Sequence, residues 1–302
     1  METDHDLHMQ TNRHAYLIMC HCNFNQLIRL LQLLDDKRND IYLHIDKKSK
    51  EVPLCKIIDA VKQSSLIFIR RMRVNWGGYS QIKVELELLK EAAKSNYAYY
   101  HLISGADLPL KSQDDIHDYF ADNKAEYISV SSTEKEENRP ENYLNRLKYY
   151  NLFQDVIGRN KGIRFHTLNV LNICLLRFQR LIGIDRTRKS QLIYYKGSNW
   201  FSVTHEMAKY ILSQEKLIRK YFKYTVCADE HFLQTIAMSS QLKDHISGTD
   251  MRYIDWKRGT PYVFRDSDFQ ELIDSGCLFA RKFDETIDNR IVGIIYEYCK
   301  TN

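Results

Sequence analysis

Ala15-Tyr-Leu-Ile-Met-Cys20 is a short apolar run. Phe24, Leu27, Ile28, Leu31 and Leu34 follow it at helical spacing, and Ile41-Tyr-Leu-His-Ile45 is a second apolar run. A strand, a helix and a strand in that order form the unit from which parallel sheets are built. The same alternation continues. Leu66–Ile69 reads as a third strand, Ile82, Leu86, Leu89 and Ala93 as a longer helix, and Tyr97–Ile103 as a fourth strand. Pro53 suits the first turn of a short helix between the second and third strands. Ser112 caps a helix carrying Ile116, Tyr119 and Phe120, and Ala125–Val130 closes the series. The expected fold is α/β, with a mainly parallel central sheet flanked by helices on both faces.

In such sheets a ligand sits beyond the carboxyl ends of the strands. Four strand exits carry polar or glycine-rich chemistry: Cys20-His21-Cys22-Asn23, His44-Ile45-Asp46-Lys47, Asn75-Trp76-Gly77-Gly78 and Ser104-Gly105-Ala106-Asp107. From about Thr133 the pattern changes and helices dominate to Ile182. Leu192–Tyr195 and Phe201–Val203 read as short strands, and a helix follows Asp229. Then come Tyr253–Trp256, a helix capped by Ser267 with Gln270 in the capping-box position, a strand Leu278–Phe283 and a closing helix to Tyr298. No repeat and no linker divides the chain. It reads as a single domain over 1–302, whose pattern changes between a first half at about 13–130 and a second at about 131–302.

Composition narrows the class. Hydrophobic residues are 44% and charged residues 27% of the 302, the balance of an ordinary globular chain and not of a disordered one. Gly 11 and Pro 4 make up about 5% of the chain, under half the roughly 12% average, which excludes collagen-like and linker-rich readings. No run reaches the roughly 18 apolar residues of a membrane span, and the acidic, polar start from Met1 to Gln10 is not a secretory signal. Seven cysteines without a disulfide framework fit a reducing cytoplasm. Cys20 and Cys22 lack a second pair at zinc spacing and read as core and loop thiols.

The net charge of +5 is unevenly spread. Residues 139–189 hold eleven Lys/Arg (Arg139 and Lys189 among them) against Glu141, Asp155 and Asp185, a local +8 that leaves −3 for the rest. Val170, Leu171, Leu175, Leu176, Phe178 and Leu181 are interleaved there. Such a stretch either lies on an anionic membrane or is a helix with a buried apolar face and a solvated basic one. It carries no RNA- or DNA-binding motif, so no nucleic-acid partner is expected.

There is no G-x-G-x-x-G and no P-loop. Gly77-Gly78 allows close backbone approach to a ligand or simply makes a turn. Asp266-Ser267-Asp268 has the spelling of a metal-binding D-x-D but stands at a helix start, where such residues cap. Asp107 is a lone carboxylate at the fourth strand's exit, better suited to a hydroxyl or an N–H than to a metal. Asp229-Glu230 opens an apolar helix, where acids are either stabilised by the dipole or aimed into a cleft as a base. Alternation in Phe279–Phe283 puts Arg281 and Lys282 on opposite faces, so one faces an interior or cleft and needs an anion. A diphosphate and a structural carboxylate are both candidates.

Six pieces together resemble one family. They are Tyr42-Leu-His-Ile-Asp-Lys-Lys-Ser49, Trp76-Gly-Gly-Tyr-Ser80, Leu102-Ile-Ser-Gly-Ala-Asp-Leu-Pro109, Gly197-Ser-Asn-Trp-Phe201, Ala228-Asp-Glu-His231 and Phe279-Ala-Arg-Lys-Phe283. In this order they are similar to the core-2/I-branching N-acetylglucosaminyltransferases and peptide O-xylosyltransferases, glycosyltransferase family 14. The match runs from about Ala15 to Asp284 and looks like a bacterial member.

The resemblance implies a GT-A-type fold, with a nucleotide-sugar-binding half at about 13–130 and an acceptor and catalytic-base half at about 131–302, and inverting, metal-independent transfer of a sugar from UDP to a glycan hydroxyl. GlcNAc is the favoured sugar and xylose the next. No cofactor is expected; the UDP-sugar is a co-substrate. Glu230 matches the base, and Lys282 with Arg281 matches the diphosphate-holding cations, Arg265 being the nearest further arginine. Asp46, Trp76, Gly77 and Gly78 match the uridine region, and Asp107 an acid near the donor ribose or sugar. Asn199 stands where the xylosyltransferase pattern has Asp, beside Trp200. Trp256 and Arg146 fall where branching enzymes meet their acceptor. The expected acceptor is a glycan or lipid-linked saccharide of surface polysaccharide synthesis. The expected place is cytoplasmic, at the inner face of the plasma membrane, where the basic segment meets anionic lipid. The rival reading is a non-catalytic carbohydrate- or nucleotide-binding module of the same fold.

Overall fold

The computed structural model describes residues 12–131, 143–188 and 190–301. The opening Met1 to Gln10, Thr133, and Arg139, Glu141 and Lys189 of the basic segment lie outside the described residues. The chain runs β1 (His14–Cys20), α1 (Phe24–Leu34), β2 (Asn39–Ile45), α2 (Leu54–Asp59), β3 (Ser65–Phe68), α3 (Tyr79–Ala92) and β4 (Tyr99–Ser104). There follow β5 (Asp107–Pro109), α4 (Gln113–Phe120), β6 (Glu126–Ser129), α5 (Asn145–Lys148), α6 (Gln154–Ile157) and α7 (Ile163–Leu181). Next are β7 (Phe201–Thr204), α8 (His205–Ser213), α9 (Glu215–Phe222), α10 (Phe232–Ala237), β8 (Ile246–Gly248) and β9 (Arg252–Ile254). The chain closes with α11 (Phe269–Asp274), β10 (Phe279–Arg281) and α12 (Asn289–Thr301).

Seven strands form the central sheet in the order β3-β2-β1-β4-β7-β6-β8. β1 pairs in parallel with β2 and β4, Ile18 lying opposite Leu43 and Ile103. The expected mainly parallel sheet flanked by helices is present. β7 alone runs against its neighbours β4 and β6. A second sheet, β5-β10-β9, brings the C-terminal strand against the exit of β4.

Both sheet faces are dry because each strand alternates between two cores. Tyr16 and Ile18 join Leu27, Leu30, Leu31 and Leu34 of α1 and Ile291 and Ile295 of α12. Ala15 and Leu17 join Ile82, Leu86 and Leu89 of α3 on the other side. Each of those leucines, fully buried, contributes about 1.5–3 kcal/mol. Ser112 caps α4 as expected, its Oγ accepting from the Asp115 N–H at 3.2 Å. All seven cysteines are free thiols. Among the described residues no helix is long and apolar enough to cross a membrane.

Three local expectations need correction. Leu192–Tyr195 is not a strand. The Tyr195 N–H donates to Thr235 Oγ1 at 3.1 Å and its carbonyl meets His231 Nδ1 at 3.1 Å, so its backbone groups are taken by α10 and the residue before it. Ser267 is exposed and does not cap. Asp268 stands at the N-cap of α11 without a side-chain bond to it, and its carboxylate instead closes the preceding 3-10 turn, accepting the Arg265 N–H at 2.7 Å and pairing with Arg258 at 2.8 Å. Lys282 lies beyond the end of β10, so strand alternation does not place it. Its backbone instead pairs with the 262–264 loop, accepting from the Phe264 N–H at 3.0 Å.

Glu85 breaks the apolar face of α3. It is 2% exposed, neither oxygen has a hydrogen-bond partner, and it lies among Leu86, Leu89, Phe201 and Phe232. Burial first, and the neighbouring Asp229 charge second, push its carboxyl well above the usual range. With the folded value above the unfolded one, the folded chain holds more protons at neutral pH, and stability falls as pH rises. Glu85→Met is therefore expected to stabilise the fold by about 1–3 kcal/mol at neutral pH. The gain should shrink toward pH ~4, where the unfolded glutamate is also neutral. Urea melts across that range test it, and a gain that grows on acidification would contradict it.

Candidate active site

The strand exits converge as their positions require. The Asp46 N–H donates to the Cys20 carbonyl at 2.8 Å and the Gly105 N–H to the Met19 carbonyl at 3.0 Å, which locks the ends of β2 and β4 to that of β1. A Cβ on Gly105 would stand 2.8 Å from Cys20 Sγ, so only glycine permits this approach. The Asp46 carboxylate accepts from the Lys48 N–H at 2.7 Å and the Val74 N–H at 3.4 Å, and Lys48 Nζ lies 3.7 Å from it. Lys48 Nζ also reaches Asn75 Oδ1 at 3.2 Å. Asp46 is thereby tied to the loop that bears Trp76.

That loop is built more tightly than its glycines alone suggest. Gly77 has φ +68°, the left-handed region, and its carbonyl accepts from the Cys227 N–H at 2.9 Å. The close approach that Gly78 permits is to Asp155, whose Oδ1 would stand 2.2 Å from an added Cβ. Trp76 is 46% exposed and so is not a core tryptophan. The Arg159 guanidinium lies over its ring at 3.9 Å, as a cation–π partner. Asp155 and Arg159 were not visible as site residues in the sequence, because both come from the irregular stretch around α6.

Asp107 and Arg281 meet across the two sheets. Asp107 accepts from the Ser104 N–H at 2.6 Å and from Arg281 Nη1 at 2.8 Å, and Arg281 also bonds Ser104 Oγ. The guanidinium lies 4.6 Å over the ring of buried Trp200. Of the two anions the sequence allowed for this cation, the carboxylate is in place. Lys282 is half-buried beside it, and no ion pair engages its ammonium among the described residues. Its charge is felt by His21, together with those of Asp46, Arg281 and Lys48. Arg265 is half-buried three residues past Tyr262, whose carbonyl accepts from the Lys282 N–H at 3.4 Å.

Glu230 ends a 3-10 turn, Ala228–Glu230, that precedes α10. Its Oε2 lies 2.8 Å from Arg146 Nη1, with the two side chains 35% and 39% exposed, so the carboxylate is fixed yet open to solvent. The Glu230 carbonyl accepts from the Gly197 N–H at 2.9 Å. From Gly197 the chain passes through Asn199, half-buried, to Trp200 and so to Arg281. Gly197 is required there, since a Cβ would stand 1.8 Å from the Ser129 carbonyl oxygen. Beneath Glu230 the buried Asp229 accepts from Gln81 Nε2 at 2.8 Å while its Oδ1 has no partner. Burial, then the Glu230 charge, push Asp229 up to about 7. Trp256, 62% exposed after β9, is not joined to these residues by any described contact.

Residues 14–271 match the profile of the Core-2/I-Branching enzymes. The chain belongs to the Core-2/I-Branching enzyme family. Similar curated proteins include xylosyltransferase 2 of Rattus norvegicus, 22% identical over 94% of this chain and 33% of the relative. Xylosyltransferase 2 of Homo sapiens gives the same figures. This Core-2/I-Branching family chain thus spans about a third of the length of the curated relatives it matches. Among solved structures, mouse xyloside xylosyltransferase 1 in its apo form aligns over 88% of this chain and 96% of its own. It is 10% identical, with TM-score 0.37. Among the described residues of this family member, no three His, Cys, Asp or Glu side chains gather as ligands of one ion.

Proposed function

We propose that this chain is an inverting glycosyltransferase that moves a sugar from a UDP-sugar to a glycan hydroxyl without a metal ion. The observation that carries the reading is the continuous path from Glu230 through Gly197–Trp200 to Arg281, with Lys282 beside it. One end offers a solvent-reachable carboxylate and the other an ammonium that no ion pair engages among the described residues. In the reaction the acceptor hydroxyl oxygen bonds to the anomeric carbon as the Glu230 carboxylate takes its proton. The bond from that carbon to the diphosphate oxygen breaks, and the electron pair leaves with UDP. In this reading Lys282 neutralises that charge, the task a metal ion performs in other enzymes.

The uridine belongs between Asp46 and the Trp76 loop. The donor sugar is GlcNAc, favoured by the sequence resemblance, or xylose, named in the curated relatives. The acceptor is a saccharide hydroxyl, on a lipid-linked surface-polysaccharide precursor in this reading. Calorimetric titration with UDP, UDP-GlcNAc and UDP-xylose tests it, each in EDTA and in Mn²⁺. The expected result is binding in EDTA with one sugar preferred. Binding only with Mn²⁺ would overturn the metal-free mechanism. Binding in neither would favour a binding module or a different ligand.

A further inference from the structure

The two buried side chains of the long helix α7 are both polar. Only Asn172 and Gln179 of its 19 residues are buried. Gln179 accepts from the Tyr150 N–H at 2.7 Å and donates to the Tyr150 carbonyl at 3.0 Å. Phe165, Leu168, Leu175 and Leu176 are half-buried on the same side, whereas Ile163, Val170, Leu171, Phe178, Leu181 and the adjoining Ile182 face out and are 46–84% exposed. At 100° per residue these six fall on one stripe of the helix. The helix therefore does carry an inward apolar face, and the exposed stripe is a second one that packing within the described residues leaves uncovered. A contiguous exposed apolar stripe marks a contact with something apolar.

The charge around the stripe says what that is. Arg164 and Arg177 border it, and α7 contains no acidic residue. Residues 143–188 carry nine Lys/Arg against Asp155 and Asp185, a local +7. A second copy of the chain would bring two such patches face to face, which is unfavourable. An anionic lipid surface offers hydrocarbon to the stripe and phosphate to the arginines at once.

We propose that α7 docks in the plane of an anionic phospholipid surface through this stripe and its bordering arginines. The segment just before α7 packs on the candidate donor loop. Gln154 Nε2 donates to the Trp76 carbonyl at 3.0 Å and Arg159 covers the Trp76 ring. Docking therefore holds one edge of the cleft near the surface where a lipid-linked acceptor would lie. The proposal extends the transferase reading, but vesicle binding is read without donor or acceptor, so the two fail separately.

The test is vesicle flotation of the full chain. One set is phosphatidylcholine alone and the other contains roughly a third phosphatidylglycerol. The expected result is at least ~10-fold stronger binding to the anionic set, weakened in high salt. Phe178→Ser with Leu181→Ser should lower that binding by about 10-fold. Arg164→Glu with Arg177→Glu should remove the preference for anionic lipid. All four side chains are exposed, and circular dichroism checks that folding is kept. Arg186 is unsuitable for this test because it bonds the carbonyls of Tyr221 and Lys223 at 3.0 Å and holds the fold. Absence of flotation by the parent, or unchanged flotation by both variants, would overturn the proposal. So would a dimer that the Phe178 and Leu181 substitutions turn into monomers, which would assign the stripe to a second copy.

Discussion

Glu230→Gln is expected to lower turnover by about 10²–10⁴-fold, with UDP binding and thermal stability close to the parent's. Glutamine keeps the size of the side chain and loses only the oxygen that takes a proton. The main-chain bond from the Gly197 N–H to the Glu230 carbonyl is untouched. The Arg146 pair is about a third exposed on each side, and ion pairs of that kind are worth about 0–1 kcal/mol. A large loss of rate therefore cannot be charged to unfolding, and melting curves confirm which has occurred. Initial rates with donor and acceptor, beside calorimetry with UDP, separate chemistry from binding. Turnover within ~3-fold of the parent would remove Glu230 as the base. Asp229, held up at about 7 and with one oxygen unpartnered, would then be the first carboxyl to test.

How far the sequence could be read follows from how local each feature is. The strands β1 and β2 were legible because Ala15–Cys20 and Ile41–Ile45 are almost wholly buried and read as largely apolar runs, the second broken only by His44. The helix between them has its own spacing, and the two periods do not blur. The reversed direction of β7 was not legible. Its pairing with β4 joins Phe201 to Leu102 across about a hundred residues, and nothing in Phe201–Thr204 encodes orientation. Leu192–Tyr195 misleads for a related reason: its side chains suit a strand, but Thr235 and His231 hold its backbone. Glu85 left a readable trace, since three residues after Ile82 it falls on the helix's apolar stripe. In α7 the sequence displayed both an apolar and a basic set. Both sets face water, and which side of the helix turns inward depended on Tyr150 and Asn151, residues outside the helix that bond Gln179 and Asn172.

In the candidate site the residue types were legible and their pairing was not. Residue type and order marked Glu230, Asp107, Arg281 and Lys282. That Arg146 meets Glu230 and that Asp107 meets Arg281 depends on contacts spanning 84 and 174 residues. Two adjacent cations in one motif turn out to have different surroundings, and this difference can be measured.

Arg281→Met is expected to destabilise the fold by about 3–5 kcal/mol at neutral pH, the cost of leaving a buried charge without its partner. The Asp107 side chain is 4% exposed and that of Arg281 22%, so water replaces little of the lost interaction. After the substitution the carboxylate keeps the Ser104 N–H but no ion pair among the described residues. The stacking on Trp200 also goes, a smaller loss of about 0.5–2 kcal/mol. Adding Asp107→Asn to Arg281→Met should return part of the stability, because the stranded charge is then gone. A double-mutant cycle from urea melts should give a coupling above ~1 kcal/mol. Simple additivity would show that the pair carries no structural energy and that Arg281 is free to serve a ligand. Lys282→Ala should behave in the opposite way, losing turnover while the melting curve stays near the parent's. No ion pair among the described residues holds its ammonium, so little folding energy depends on it. If both variants lost stability alike, Lys282 would be a structural residue too, and the leaving diphosphate would need a different cation.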